Sequence, residues 1–245
     1  MRHPMSSRAG KTRRSLAHWP HRLFASAGVV AVAAWLAVPS YAARFIATPE
    51  ASTMPSGKYS LWQFVLHESR STDDIRLLNR IDVGLSDRLE LGVFIINPRD
   101  KPTDTWVNLQ FKVLQEADSR PVVSVGVWDA AEISQFSGES TGGSFFVAAG
   151  KTFKPHVDSW SPPHLKVSIA AGTNRLNGLF GGFDLRAVKN TGVMVELAPA
   201  NLRLPGTCAV DAGLYQWFGE HWRGRVSYMG GNPMLDVFYT STIGK

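Results

Sequence analysis

Between Gly57 and Thr240 the side chains alternate with a period of two, strand after predicted strand. Behind Ser86-Asp87, for example, Leu89, Leu91, Val93 and Ile95 fall on one face and Arg88 and Glu90 on the other. A helix in water repeats its apolar positions every three or four residues, so this spacing specifies strands with one apolar face. The same alternation sets Ile75, Leu77, Ile81 and Val83 against Arg76, Arg80 and Asp82, and Val107, Leu109, Phe111 and Val113 against Asn108, Gln110 and Lys112. Further along, Leu165, Val167 and Ile169 oppose Lys166 and Ser168; Phe183 and Leu185 oppose Asp184 and Arg186; Val193, Val195 and Leu197 oppose Glu196. Near the end Trp222, Val226 and Tyr228 oppose Arg223, Arg225 and Ser227. No amphipathic helix longer than two turns interrupts the pattern.

Turn signals divide this region into strands at about 57–67, 74–85, 88–97, 105–115, 121–129, 144–152, 164–172, 178–188, 191–198, 207–217, 221–229 and 234–243. The second, fourth, eighth and tenth joints are short: Ser86-Asp87, Glu116 to Arg120, Lys189-Asn190 and Phe218 to Glu220. The alternate joints are longer and richer in Gly, Pro and Ser, with Ala130 to Gly143 the longest. Short turns at one end and long loops at the other are the signature of an up-and-down antiparallel β-barrel, here of about twelve strands (10–12). Phe153 to Pro163 breaks the rule, being too long for a tight turn.

A closed barrel has a face toward its lumen and a face toward its surroundings, and charge bears on which is which. The formal charge of +6 comes entirely from the first 42 residues, which hold six Lys plus Arg and no Asp or Glu; the remainder balances 20 basic against 20 acidic residues. Without a concentrated basic surface, nucleic acid is not an expected partner. The basic leader, the apolar run Leu23–Val38 and Ser40-Tyr41-Ala42 have the order of a secretory signal cleaved after Ala42. This divides the chain into a signal peptide (1–42), a periplasmic lead-in (43–56) and the barrel (57–245). Cys208, the only cysteine, cannot form an intramolecular disulfide, so the exported domain relies on packing and a closed hydrogen-bond network.

Three features favour a transmembrane barrel over a soluble one. Many strands have the 9–11 residues that a tilted strand needs to cross a bilayer. Trp106, Trp128, Trp160, Trp217, Phe218 and Trp222 fall near strand ends, where interfacial girdles of aromatic residues sit, whereas Trp62 reads as a core residue. The charged face mixes both signs, as pairing in a narrow lumen requires. The expected lumen-lining residues are Arg76, Arg80, Asp82, Arg88, Glu90, Lys112, Asp184, Arg186, Glu196, Arg223 and Arg225.

Three segments add a resemblance: G-L-S-D-R-L-E-L-G-V, V-N-L-Q-F-K-V-L-Q-E-A-D-S-R-P-V-V-S-V-G-V-W-D and N-R-L-N-G-L-F-G-G-F-D-L-R-A-V-K-N-T-G-V-M-V-E-L. Together they resemble the YjbH-like outer-membrane barrels of bacteria, a family linked to exopolysaccharide production. The resemblance implies an outer-membrane location and, more remotely, a role with envelope polysaccharide.

Chemistry-bearing motifs are sparse. His156-Val157-Asp158 with His164 lies among three prolines and reads as an irregular loop, so no metal or cofactor is expected. Neither a nucleophile elbow nor a Walker loop nor a dinucleotide fingerprint occurs, and Gly181-Gly182 reads as a site of close packing. The expected function is a non-enzymatic outer-membrane barrel, structural or a narrow pore. Its partners would be outer-membrane lipid, the outer-membrane assembly machinery, and polysaccharide or a small polar solute. The alternative is a soluble periplasmic barrel with Leu89, Leu91 and Val93 turned inward on an apolar ligand.

Overall fold

The computed structural model describes residues 48–67, 75–97, 103–130, 143–153, 164–188, 190–198, 210–229 and 232–243. The leader and the Phe153 to Pro163 loop beyond its first residue lie outside them. The described chain forms twelve strands: β1 Lys58–His67, β2 Ile75–Gly84, β3 Leu89–Asn97, β4 Asp104–Leu114, β5 Val122–Trp128 and β6 Ser144–Phe153, then β7 His164–Gly172, β8 Gly178–Val188, β9 Thr191–Leu197, β10 Val210–Phe218, β11 Trp222–Met229 and β12 Asn232–Thr242. A single 3₁₀ turn, Asn174–Leu176, interrupts the strand sequence among the described residues.

Each strand pairs antiparallel with the next, and β12 returns to β1 from Lys58↔Thr242 through Leu66↔Met234, which closes the barrel. The β2–β3, β4–β5, β8–β9 and β10–β11 connections share one end with Lys58 and Thr242, here called the turn end; the opposite end is the loop end. The predicted strands hold to within a few residues at every position.

Local chemistry explains the turns. In the β2–β3 turn the Leu85 amide donates to the Leu89 carbonyl (2.8 Å), and the Ser86 hydroxyl accepts from the amides of Arg88 (3.2 Å) and Leu89 (3.0 Å). Asn190 and Gly219 take the left-handed conformation (φ 66° and 65°) that tight turns demand and that Asn and Gly tolerate best. The Gly181-Gly182 pair packs against the neighbouring backbones. A Cβ on Gly181 would lie 2.2 Å from the Ser168 carbonyl oxygen, and one on Gly182 at 2.2 Å from that of Val195.

The two faces of the wall have opposite chemistry. Outward point Leu61, Leu77, Ile81, Leu109, Phe111, Val167, Ile169, Leu185, Val226 and Leu235, all exposed. Inward, on the same strands, point Ser60, Arg80, Asp82, Gln110, Lys166, Ser168, Arg186, Arg225, Ser227 and Asp236, all buried. The face carrying Leu89, Leu91 and Val93 is the outer one, since Glu90, Gly92, Phe94 and Ile96 are the buried set of β3.

Candidate functional site: the filled interior

Because Cβ atoms alternate across a strand, β2 sends Arg80 and Asp82 inward, β3 Glu90, β8 Asp184 and Arg186, β9 Glu196, and β11 Arg223 and Arg225. All eight are buried, as the alternation implies. Arg88 is a correction: it is a turn residue, exposed at the β2–β3 hairpin, because the turn takes four residues rather than two. Lys112 shares the inward face with Gln110 but is only half-buried near the turn end, beside the register shift between Lys112 and Leu114. The side chain of Arg76 lies outside the described residues, as do His156 and Asp158.

Six further charged groups belong to the buried set and escape a list built from the clearest strands: Glu50, Asp129, Lys166, Arg175, Asp211 and Asp236. With them the buried charges among the described residues number six basic and eight acidic, so neither sign dominates there. Many meet directly. Arg80 Nε contacts Asp82 Oδ1 at 2.9 Å, and the Ser60 hydroxyl donates to Asp82 Oδ2 at 3.3 Å. Arg225 Nε binds Asp236 Oδ2. The Tyr215 hydroxyl donates to Asp184 Oδ1 at 2.5 Å, with His164 Nε2 at 4.0 Å from the other carboxylate oxygen.

Arg223 is different. Its side chain is fully buried, yet none of its three guanidinium nitrogens has a hydrogen-bond partner among the described residues. Instead its central carbon lies 4.8 Å from the ring centre of Trp62, 4.9 Å from Phe238, 5.5 Å from Tyr215 and 5.7 Å from Trp217. The group is held by ring faces and edges, whose quadrupoles attract a cation, in a pocket of four aromatic side chains.

Those rings belong to a longer arc. Trp217 contacts Phe238 (5.6 Å between centres), Phe238 contacts Trp62 (4.7 Å), and Trp62 contacts Phe64 (5.4 Å). The arc continues through Phe94 (6.2 Å from Phe64) to Trp106 (5.6 Å) and Trp128 (6.1 Å), crossing the interior from β10 to β5. This corrects the expected girdle: Trp106, Trp128 and Trp217 are buried inside, on the parity of Asn108, Gly126 and Tyr215. Phe218 and Trp222 do point outward at the turn end. There Trp222 stacks near Tyr239 (4.7 Å), which neighbours Tyr59 (6.1 Å). Trp160 lies outside the described residues.

Inward glycines make room for these large groups, as the taper of a filled barrel requires. A Cβ on Gly192 would sit 2.3 Å from the Tyr215 ring, one on Gly126 at 2.5 Å from Phe146, and one on Gly92 at 2.7 Å from Asp82 Oδ1.

The remaining space at the turn end is taken by the chain itself. Residues 48–56, which carry no periodic pattern, run into the interior as a strap, with Thr48, Glu50 and Ala51 at 1%, 1% and 0% exposure. Lys166 Nζ lies 2.9 Å from Glu50 Oε1. Gln110 Nε2 donates to the carbonyls of Glu50 (2.7 Å) and Ser52 (3.3 Å), and the Ser124 hydroxyl donates to that of Ala51. The Met54 amide donates to Glu90 Oε2 (2.6 Å), and the Ser56 amide to Asp87 Oδ1 (3.1 Å). Gly84 is the threshold: a Cβ there would stand 1.9 Å from the Pro55 carbonyl oxygen. Chemically the interior is a set of paired charges, a caged cation and a peptide held by its main chain.

No known protein-family model matches the chain. A comparison with curated proteins likewise finds no match.

Proposed function

We propose that the chain is a non-enzymatic outer-membrane β-barrel whose lumen is filled, so that it acts as a structural element of the envelope rather than as an open pore. The observation that carries this reading is the inversion of the two faces. Twenty-seven large apolar side chains are exposed among the described residues, while fourteen charged ones are buried. The largest apolar patch on a soluble monomer is typically about 300–600 Å². Here the apolar surface runs round the wall, from Leu61 on β1 through Leu109, Val147, Ile169 and Leu185 to Leu214 and Leu235. Hydrocarbon is the solvent that such a surface suits, and a closed barrel leaves no unpaired strand edge in it.

Two details support the same reading. Tyr59, Trp222, Tyr239, Phe153 and Phe218 gather on the outside at the turn end, where an interfacial belt belongs. A furrow of about 620 Å³ in the outer wall, lined by Leu109, Phe111, Val125, Phe145 and Val147 with Thr173 at its margin, is mainly apolar and has the character of an acyl-chain bed. The soluble alternative needed Leu89, Leu91 and Val93 to line a cavity, and they face outward.

Cell fractionation followed by gels with and without boiling tests the proposal. Recovery in the outer membrane with a heat-modifiable band is the expected result; recovery in the soluble periplasm without detergent would overturn it. In planar bilayers the folded protein should show no steady open channel. The resemblance to YjbH-like barrels adds a link to exopolysaccharide, checked by comparing the polysaccharide released by wild-type and deletion strains.

A further inference from the structure

We propose that the turn-end mouth of the barrel is a binding site for an extended peptide carrying one carboxylate, and that residues 48–55 are its built-in, exchangeable occupant. The site belongs to the wall. Glu90, Gln110, Ser124 and Lys166 come from β3, β4, β5 and β7, and each is fixed by a strand that is paired on both sides. Gly84 and Gly150 leave a bare backbone on which the strap lies, with the Ala51 methyl 3.2 Å from where a Gly150 Cβ would be.

The contacts define what the site reads. Gln110 and Ser124 donate to three consecutive carbonyls of the strap, Glu50, Ala51 and Ser52, and Glu90 accepts from the Met54 amide. These are main-chain contacts, available to any extended peptide. Among the described residues Lys166 alone pairs with a charged side chain of the strap, through its 2.9 Å approach to Glu50. The strap contributes little apolar anchoring, with Ala51 and Met54 its only buried apolar side chains beside a proline. A buried ion pair confers selectivity more readily than net affinity, because desolvation opposes the Coulomb attraction. The strap's advantage over a free peptide is therefore its attachment to β1, which holds it at an effective concentration of about a millimolar or more.

The test uses the full chain in detergent micelles and a fluorescent peptide of the sequence Thr48–Ser56. The wild-type chain should not bind the peptide at micromolar concentration, because the attached strap competes. Glu50→Ala in the chain weakens the attached strap but spares Lys166, so the free peptide should bind at least about tenfold more tightly. Adding Lys166→Met to the chain, or Glu50→Ala to the peptide, should abolish that gain. Equal binding to the wild-type and Glu50→Ala chains, or indifference to Lys166, would overturn the proposal.

A second measurement leaves the strap's own sequence unchanged. In a chain with Gly150→Cys and Cys208→Ser, a peptide carrying Ala51→Cys activated as its 2-pyridyl disulfide should undergo thiol–disulfide exchange: the thiolate at position 150 attacks the peptide sulfur, pyridine-2-thione leaves, and excess unmodified peptide suppresses the crosslink. No crosslink within a day, or one that competing peptide leaves unchanged, would equally refute an exchangeable occupant.

Discussion

Arg223 and Arg225 sit two residues apart on β11, both fully buried, and the geometry demands opposite responses to the same substitution. Arg225 binds Asp236, and neither side chain has any exposed surface. Arg225→Met would strand a carboxylate in the interior, and breaking a buried pair from one side costs about 3–5 kcal/mol. Arg223 has no acid within ion-pair distance among the described residues, only its four rings. Cation–π attraction contributes about 0.5–2 kcal/mol per ring, with little additivity, while removing a guanidinium from water costs several kcal/mol. Arg223→Met cancels that desolvation penalty and keeps sulfur–aromatic contacts worth about 0.3–1.5 kcal/mol. The expected change is therefore within about 1 kcal/mol of zero, or stabilising by up to about 2 kcal/mol. The two variants should differ by at least about 2 kcal/mol, on the order of thirtyfold in the unfolding equilibrium. Urea unfolding in phospholipid vesicles, followed by tryptophan fluorescence, measures both. A loss for Arg223→Met as large as that for Arg225→Met would refute the reasoning, for it would mean that the caged guanidinium has an anionic partner.

Other substitutions probe the two faces and the threshold of the strap. Val226→Arg, on the outer face of β11 at 63% exposure, should cost about 2–4 kcal/mol of stability in a bilayer. On a wall facing water it would change stability by less than about 0.5 kcal/mol, so vesicle unfolding separates the two surroundings. Gly84→Ala places a methyl 1.9 Å from the Pro55 carbonyl oxygen and should expel the strap. Limited proteolysis should then cut between Thr48 and Ser56, where the wild type resists. Gly192→Ala, with its methyl 2.3 Å from the Tyr215 ring and 2.8 Å from the Leu185 carbonyl oxygen, should cost about 1–3 kcal/mol by overpacking, read as a lower urea midpoint.

Strand boundaries and faces were legible because alternation is a local property. Each of Leu109, Val167 and Val226 declares its side by its neighbours, whatever the rest of the chain does. The three misplaced tryptophans show what happens when position along a strand outweighs parity. Trp106, Trp128 and Trp217 lie near strand ends, but Val107, Val127 and Leu214 occupy the outward parity and force the indoles inward. Arg88, expected in the lumen, lies in the turn for a different reason: the Ser86 hydroxyl captures two amides, which lengthens the turn beyond the Ser-Asp pair. The strap could not be read from its own residues, because a segment held by its main chain needs no pattern. Its trace lies on the wall, where Gly84 and Gly150 present a bare backbone on the inward side, the usual mark of a close approach by another segment.

The seam between β1 and β12 makes closure of the barrel depend on its two most widely separated strands. The Thr240 hydroxyl donates to the Tyr59 carbonyl across 181 positions of sequence, and the Ile243 amide donates to that of Gly57 (2.7 Å). Until β12 arrives, β1 has one free edge and the unfinished sheet another. Loss of that one strand would leave two open edges rather than a smaller barrel, and such edges invite pairing with other chains. Whether the sheet is a barrel or an open template thus rests on one eleven-residue strand, Asn232–Thr242.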